Sequence, residues 1–87
     1  MLCRRYHVKT LYAFGSVLTE RFGSKSDIDL LVTFDDIPLE DYADNYFDFK
    51  FLLQDTFNRS VDLLEDQAIK NPFLRKDIDH NKQLIYG

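Results

Sequence analysis

A chain of 87 residues with a net charge of −4 is long enough for one compact domain, predicted over residues 1–87, and too short for an added substrate-binding domain. Its 45% hydrophobic, 15% aromatic and 30% charged residues are typical of a globular fold and exclude a collagen-like, low-complexity or disordered chain. Residues 27–66 carry a net charge of −10, which argues against direct nucleic-acid binding because such binding requires a basic surface.

The first part of the chain predicts two strands separated by turns. Residues 1–7 are predicted to be the last turns of a helix. Val8–Phe14 is rich in β-forming residues and ends at a Gly-Ser pair, so we predict a strand there. A short helical turn is predicted over Val17–Phe22. The mostly apolar segment Ile28–Phe34 is typical of a central strand.

The second part predicts two helices and two further strands. Asp35, Asp36 and Pro38 have the chemistry of a helix start, and a helix of at most about 19 residues is predicted to follow them up to Phe57. Its predicted core face consists of Leu39, Ala43, Tyr46, Phe49, Leu53 and Phe57. The later predicted elements are a strand at Ser60–Leu64, a short helix over residues 73–80 and an edge strand at Gln83–Tyr86. We therefore predict an α/β (or α+β) fold, a small mixed sheet of three to four strands with helices packed against it.

Acidic residues at the starts of two predicted strands form a candidate metal site. Asp27 and Asp29 are two residues apart, so their side chains leave the same face of the strand. Ile28 and Leu30 leave the opposite face and can enter the core. Two adjacent carboxylates repel each other unless a cation lies between them, and paired hard oxygen ligands suit Mg²⁺. Asp62 joins this pair if its strand is the neighbour of the second strand.

Gly15 and Ser16 form a candidate phosphate site at the end of the first predicted strand. Glycine permits a tight turn and close approach of the backbone, and a helical turn that starts there points free N–H groups outward. The hydroxyl of Ser16 adds a further donor. A phosphate site that faces paired carboxylates is the arrangement that two-metal phosphoryl transfer requires.

These motifs resemble those of the minimal nucleotidyltransferases, a group within the DNA polymerase beta-like nucleotidyltransferase superfamily. The signature of that group is Gly-Ser, a spacer and Asp-x-Asp, and here ten residues separate Ser16 from Asp27. The likeness rests on residues 11–16, 26–32 and 61–64 and covers nearly the whole chain. It implies a fold like the polymerase beta palm.

The resemblance also implies roles for individual residues. Asp27, Asp29 and Asp62 would be the catalytic residues and would hold two Mg²⁺ ions, and Asp62 would help to activate the attacking hydroxyl. Members of the group often have an arginine soon after the Gly-Ser pair, whereas in this chain the first arginine comes five residues later. The residues implied to bind the triphosphate of ATP are Gly15, Ser16, Ser26, Arg21 and Lys25.

The implied reaction is transfer of AMP from ATP to a hydroxyl group with release of pyrophosphate. Because the chain has no room for an acceptor domain, we expect another polypeptide to complete the site. Minimal nucleotidyltransferases of this size are typically antitoxins, and the resemblance implies that the partner is a HEPN-domain toxin that receives AMP on a tyrosine. The alternatives are a catalytically idle module that masks a partner protein and a nucleotidyltransferase that acts on a small molecule. A homo-oligomer is also compatible with the small core.

The sequence predicts a cytoplasmic protein without membrane contact. Its beginning has no apolar stretch typical of a secretory signal, and no apolar run approaches the roughly 18 residues of a membrane-spanning helix. A single cysteine, Cys3, excludes a disulfide framework within the chain and a cysteine zinc site.

Overall fold

The computed structural model describes residues 3–15 and 27–87. These residues form four strands and two α-helices, in agreement with the predicted fold class. In chain order these elements are β1 (Val8–Phe14), β2 (Ile28–Phe34), α1 (Leu39–Phe57), β3 (Val61–Glu65), α2 (Pro72–Asn81) and β4 (Gln83–Tyr86). The turn predicted over Val17–Phe22 lies outside the described residues. Neither described helix is long and apolar enough to cross a membrane.

The four strands form one mixed sheet in the order β3-β2-β1-β4. The pair β2 and β3 is parallel, whereas β1 runs antiparallel to both β2 and β4. The edge position of β4 was predicted and is confirmed. The strand β3 begins and ends one residue later than predicted.

The beginning of the chain differs from its prediction. Instead of the last turns of an α-helix, the structure has a short 3₁₀ turn at Cys3–Tyr6. His7 follows with a φ of 59°, in the left-handed region, and this residue turns the chain into β1. Asn45 Nδ2 donates a hydrogen bond of 2.8 Å to the carbonyl of Tyr6, which attaches this turn to α1.

The helix α1 covers one face of the sheet and forms the main core with it. Phe49 and Leu53 are fully buried and Tyr46 is half-buried, as predicted. The prediction was wrong for Leu39, which is 91% exposed, and for Ala43, which is also exposed, because the described sheet does not extend beneath these positions of the helix. The core contact begins instead at Tyr42, whose ring centre lies 5.8 Å from that of Phe34.

The connection from α1 to β3 sets the position of the third acid. The helix ends at Asn58 in the left-handed conformation, and the side chain of Gln54 accepts a hydrogen bond of 3.2 Å from the N–H of Val61. The N–H of Ile28 donates to the carbonyl of Ser60 at 3.0 Å. These bonds align the starts of β2 and β3.

At its other end α1 follows Pro38 with no side-chain cap, so the acidic residues ahead of it do not serve as the predicted N-cap.

The helix α2 crosses the sheet face opposite to α1. The crossovers from β2 to β3 and from β3 to β4 run in opposite directions across the sheet, and two right-handed crossovers of this kind place their helices on opposite faces. Accordingly, Leu31 and Ile78 are buried apart from the core cluster under α1. Lys82 Nζ, just after α2, lies 4.3 Å from the ring centre of Tyr12 on the same side. This second layer is small and leaves part of the face open.

The central position of Phe49 leads to a first prediction. Phe49→Ala is expected to lower the free energy of unfolding by about 3–5 kcal/mol, because it removes a fully buried ring from the α1 core. Phe47→Ala is the matched control on the same helix, since that ring is 50% exposed, and its expected cost is below about 1 kcal/mol. Urea denaturation of both variants measures the difference. Similar losses would contradict the described orientation of α1.

Candidate active site

Two of the predicted site residues lie side by side on adjacent strands. Asp29 in β2 is in register with Asp62 in β3, so the predicted neighbourhood of these strands is confirmed. The side chains that flank them along the chain are buried on the α1 face, which places both carboxylates on the opposite face. Asp27 is exposed one residue before β2 begins, and Asp62 is also exposed. The pair therefore opens towards solvent.

Gly15 lies directly beside the carboxylate of Asp29. Phe14 is in register with Asp29 across the antiparallel pair, and Gly15 follows with a φ of 73°. A Cβ atom on Gly15 would overlap with Asp29 Oδ2. The sequence predicted that glycine would allow close approach of a phosphate; the structure shows that its missing side chain also makes room for the acid.

The surroundings of Asp29 disfavour its negative charge. Partial burial raises the pKa of this carboxyl above its ordinary value of 3.8, and the nearby charges of Asp62 and Asp27 raise it further. The three acids thus repel one another on a sheet face. A bound cation would reverse this effect because it favours the ionised form of each acid.

The donor chemistry of the pair fits a magnesium ion that is shared with a substrate. Within residues 3–15 and 27–87, no three His, Cys, Asp or Glu side chains converge as a ready metal cage. Asp29 and Asp62 instead offer hard oxygen donors from neighbouring strands on an open face. Mg²⁺ typically takes one or two carboxylates and completes its shell with water and substrate phosphates. An open carboxylate pair meets that requirement.

The profile of the polymerase beta nucleotidyltransferase family matches residues 1–87. The chain belongs to this nucleotidyltransferase family. Two Methanocaldococcus jannaschii proteins named as putative protein adenylyltransferases are among its relatives. One is 40% identical over 86 residues, which span 99% of this chain and 83% of the relative. The other is 32% identical over 82 residues, which span 94% of this chain and 79% of the relative.

Solved structures share the fold of this nucleotidyltransferase. A minimal nucleotidyltransferase superposes with a TM-score of 0.73 at 28% identity, covering 97% of this chain and 82% of that one. A chain of a toxin–antitoxin complex with AMP-PNP gives a TM-score of 0.73 at 20% identity, covering 99% and 68%. A chain from a complex of a tri-AMPylated Shewanella oneidensis HEPN toxin with an MNT antitoxin gives a TM-score of 0.64 at 19% identity. The match covers 99% of this chain and 64% of that one. The resemblance found in the sequence is confirmed: this is a nucleotidyltransferase with the fold of the minimal group.

The structure describes only part of the predicted site. Four predicted residues, Gly15, Asp27, Asp29 and Asp62, are described, and the structure places Gly15 and Asp62 on either side of Asp29. The other predicted phosphate-binding residues lie outside the described residues: Ser16, Arg21, Lys25 and Ser26.

A cavity beside Gly15 is a feature of this nucleotidyltransferase that the sequence did not predict. It has a volume of about 550 Å³ and lies between the end of β1 and the helix α2. The sequence indicated no role for α2, because the residue pattern of a ten-residue helix shows only that one of its sides is apolar. The signal that was available is the crossover direction, since a right-handed β3-α2-β4 connection puts α2 on the face of the acids.

A second cavity lies at the opposite ends of β2 and β3, away from the paired acids. It measures about 260 Å³ and is lined by Asp35, Tyr42 and Glu65 among others. Burial and a hydrogen bond with Glu65 raise the pKa of Tyr42 above its ordinary value. Burial and the charge of Glu65 also raise the pKa of Tyr46, whose hydroxyl donates to the carbonyl of Leu63. These two tyrosines stay protonated near neutral pH and strengthen the attachment of α1 to β3.

The raised pKa of Asp29 predicts how stability depends on pH in metal-free solution. A carboxyl with a higher pKa in the folded state binds its proton more tightly there than in the unfolded chain. Its favourable contribution to folding stability is therefore complete below about pH 4 and is lost as the pH rises through the folded pKa. Asp29→Asn removes this loss. We expect the free energy of unfolding of this variant to increase relative to that of the wild type as the pH rises from about 4 to 7.

The control for this comparison is Asp48→Asn, an exposed acid on α1. Chemical denaturation at several pH values in EDTA measures the difference for each variant. A constant difference between wild type and Asp29→Asn across this range would contradict the described repulsion.

Proposed function

We propose that residues 1–87 form one magnesium-dependent nucleotidyltransferase domain that transfers AMP from ATP to a tyrosine of a HEPN toxin and so acts as its antitoxin in the cytoplasm. The observation that carries the proposal is the pairing of Asp29 and Asp62 beside Gly15 on an open sheet face. The names of the relatives support protein adenylylation. The AMPylated HEPN toxin in the Shewanella oneidensis complex supports the choice of acceptor.

In this proposal the triphosphate of ATP lies at the end of β1. The N–H groups that follow β1 and the hydroxyl of Ser16 would hold its phosphates, with Ser26, Arg21 and Lys25 as further contacts. Asp27, Asp29 and Asp62 would hold two Mg²⁺ ions, with the remaining positions on each ion taken by phosphate oxygens and water. Bound Mg²⁺ neutralises charge on the triphosphate and lowers the pKa of an acceptor hydroxyl.

The proposed reaction is a single displacement at the α-phosphorus. The acceptor oxygen forms a new bond to that phosphorus, and the bond to the oxygen bridging towards the β-phosphorus breaks, so pyrophosphate leaves with its electron pair. The acceptor proton passes to the carboxylate of Asp62, the exposed member of the pair, and from there to solvent. Asp29, which lies against Gly15, would hold the shared cation together with Asp62.

The acceptor must approach from the open side of the sheet. Asp62 lies on the outermost strand, β3, and is exposed, so a tyrosine from another polypeptide has access to it. The acidic stretch of residues 27–66, with its net charge of −10, favours encounter with a basic partner. Both features support a protein acceptor over a small molecule enclosed in a pocket.

The proposal is tested by incubating the protein with Mg²⁺, α-labelled ATP and the product of the adjacent gene. We expect label on a tyrosine of the partner, located by mass spectrometry, and no label from γ-labelled ATP. Asp62→Asn is expected to remove the label, whereas Asp48→Asn on the far side of the sheet is the control and should retain it.

Other outcomes of this experiment would support one of the two alternative functions. Tight, metal-independent binding of the partner without any label would indicate a masking module that does not use its acids. Label on an added small molecule, such as an aminoglycoside, with none on the partner would keep the transfer chemistry and exclude the protein acceptor.

A further inference from the structure

The side of α1 that faces away from the sheet carries two exposed aromatic rings. Phe51 is 59% exposed and Phe47 is 50% exposed, and their rings stack with centres 6.4 Å apart and planes inclined by 30°. The two residues lie four apart, so both project from the same side of the helix. Neither ring belongs to the core beneath α1. Together they form an apolar patch of the kind that a protein partner covers.

This ring pair is connected through Tyr46 to the strand that carries Asp62. The hydroxyl of Tyr46 donates to the carbonyl of Leu63, the residue after Asp62. The ring of Phe47 meets that of Tyr46 edge-on, with centres 5.2 Å apart. Because β3 is an edge strand, the three rings extend from the open edge of the sheet to the outer side of α1. A protein that reaches Asp62 over this edge therefore lies beside the ring pair.

The charge on α1 indicates which kind of protein fits this patch. The helix carries five acidic residues and one lysine, so its net charge is −4. A line of exposed residues at spacings of four, three and four places two acids ahead of the two rings, and we call it the α1 stripe: Glu40, Asp44, Phe47 and Phe51. A second copy of this chain would bring another helix of the same charge to the contact, which repulsion disfavours. A helix with basic side chains beside apolar ones matches both halves of the stripe.

We propose that the α1 stripe is the docking surface for the acceptor protein, which binds it through an amphipathic helix with basic side chains. The inference rests on the proposed function, because it takes the protein that docks here to be the one that receives AMP. Apolar side chains of the partner helix cover Phe47 and Phe51, and its lysine or arginine side chains lie against Glu40 and Asp44. Docking holds the partner beside the edge of β3 and so raises the effective concentration of its tyrosine at Asp62.

The rings are tested by measuring the dissociation constant of the partner, the product of the adjacent gene, by titration calorimetry in EDTA without ATP. Phe51→Ala is expected to weaken binding about tenfold or more, because it removes an aromatic ring that the contact buries. Leu39→Ala is the matched control: this side chain on α1 is even more exposed, but it lies about 100° around the helix from Glu40 and the stripe. Its affinity for the partner should equal that of the wild type.

The acids of the stripe are tested by charge reversal in the same binding assay. Glu40→Lys combined with Asp44→Lys is expected to weaken binding about tenfold at about 50 mM NaCl and less at about 300 mM, because salt screens the attraction. Asp41→Lys combined with Asp48→Lys is the matched control. It also changes one acid of the first turn and one acid of the middle of α1, but outside the stripe, towards Asn45. Its loss of affinity should stay below about threefold.

A docking surface away from the reacting atoms acts on the binding of the partner and not on the transfer step. With ATP and Mg²⁺ present, Phe51→Ala is therefore expected to raise the KM for the partner about tenfold and to leave kcat unchanged. A fall in kcat with an unchanged KM would contradict the docking role.

The outcomes separate this inference from the function on which it rests. If the wild type transfers label to the partner and the variants of the stripe bind the partner normally, the docking surface is overturned and the transfer stands. Binding that depends on the stripe without any transfer of label would support the docking surface and contradict the proposed transfer. If the wild type neither binds nor labels the partner, both proposals fail.

Discussion

Replacing Asp29 with asparagine is expected to reduce AMP transfer by about 10³-fold or more while leaving the protein folded. The substitution removes the charge that would hold a shared cation and the reacting phosphate, an effect worth several kcal/mol in metal-assisted reactions. It changes little volume, and it relieves the repulsion from Asp62 and Asp27. The measurement is the initial rate of pyrophosphate release with partner and ATP present, together with the circular dichroism spectrum and thermal midpoint.

The control for this prediction is Asp48→Asn, which makes the same chemical change on the outer surface of α1. Its transfer rate should match the wild type within a factor of about two. Full activity of Asp29→Asn would remove the paired acids from the mechanism. Loss of the folded state in that variant would instead show that Asp29 has a structural role that the described contacts do not contain.

The second large effect is expected from Gly15→Ala. The new methyl group would overlap with Asp29 Oδ2 and force that carboxylate to turn away, and the φ of 73° is unfavourable for alanine. We expect a loss of about 1–2 kcal/mol in stability from the backbone conformation. Transfer should fall by about 10²-fold or more, since small displacements of catalytic groups have effects of that size. Denaturation and the transfer assay measure the two effects separately.

A double-mutant cycle identifies the contact as the cause. In the background of Asp29→Ala there is no carboxylate for the methyl group to displace, so Gly15→Ala should cost less stability there than in the wild type. The loss of stability that remains in this background comes from the unfavourable backbone conformation of alanine at this position alone. Equal losses in the two backgrounds would contradict the described contact between Gly15 and the acid.

Much of the sheet could be predicted from the sequence because its signals are local. β1 and β2 have the predicted bounds, since each is a run of β-forming residues ended by glycine or by acidic and proline residues. The alternation around Asp62 correctly placed its side chain on the face opposite Val61 and Leu63. The predicted core face of α1 was correct where the sheet lies beneath the helix, at Phe49 and Leu53.

The remaining features depend on contacts between distant segments. Leu39 has the right spacing for the core, but spacing does not show where the sheet ends beneath a helix. The contact between Gly15 and Asp29 follows from the register of β1 against β2, which a motif does not encode. To predict the cavity between β1 and α2, one would need the direction of the β3-to-β4 crossover and the length of the short helix α2.

The overlap that a side chain on Gly15 would have with Asp29 makes these two positions dependent on each other during evolution. A lineage that keeps the acid cannot replace the glycine without displacing the carboxylate. A descendant that loses the acid and becomes a pure binding protein is released from that constraint, and asparagine, which tolerates a positive φ, becomes an acceptable substitute. In a lineage under selection for transfer, we therefore expect the glycine to persist as long as the acid does. Among relatives of this chain, a side chain at the position of Gly15 is expected to accompany weakened catalysis.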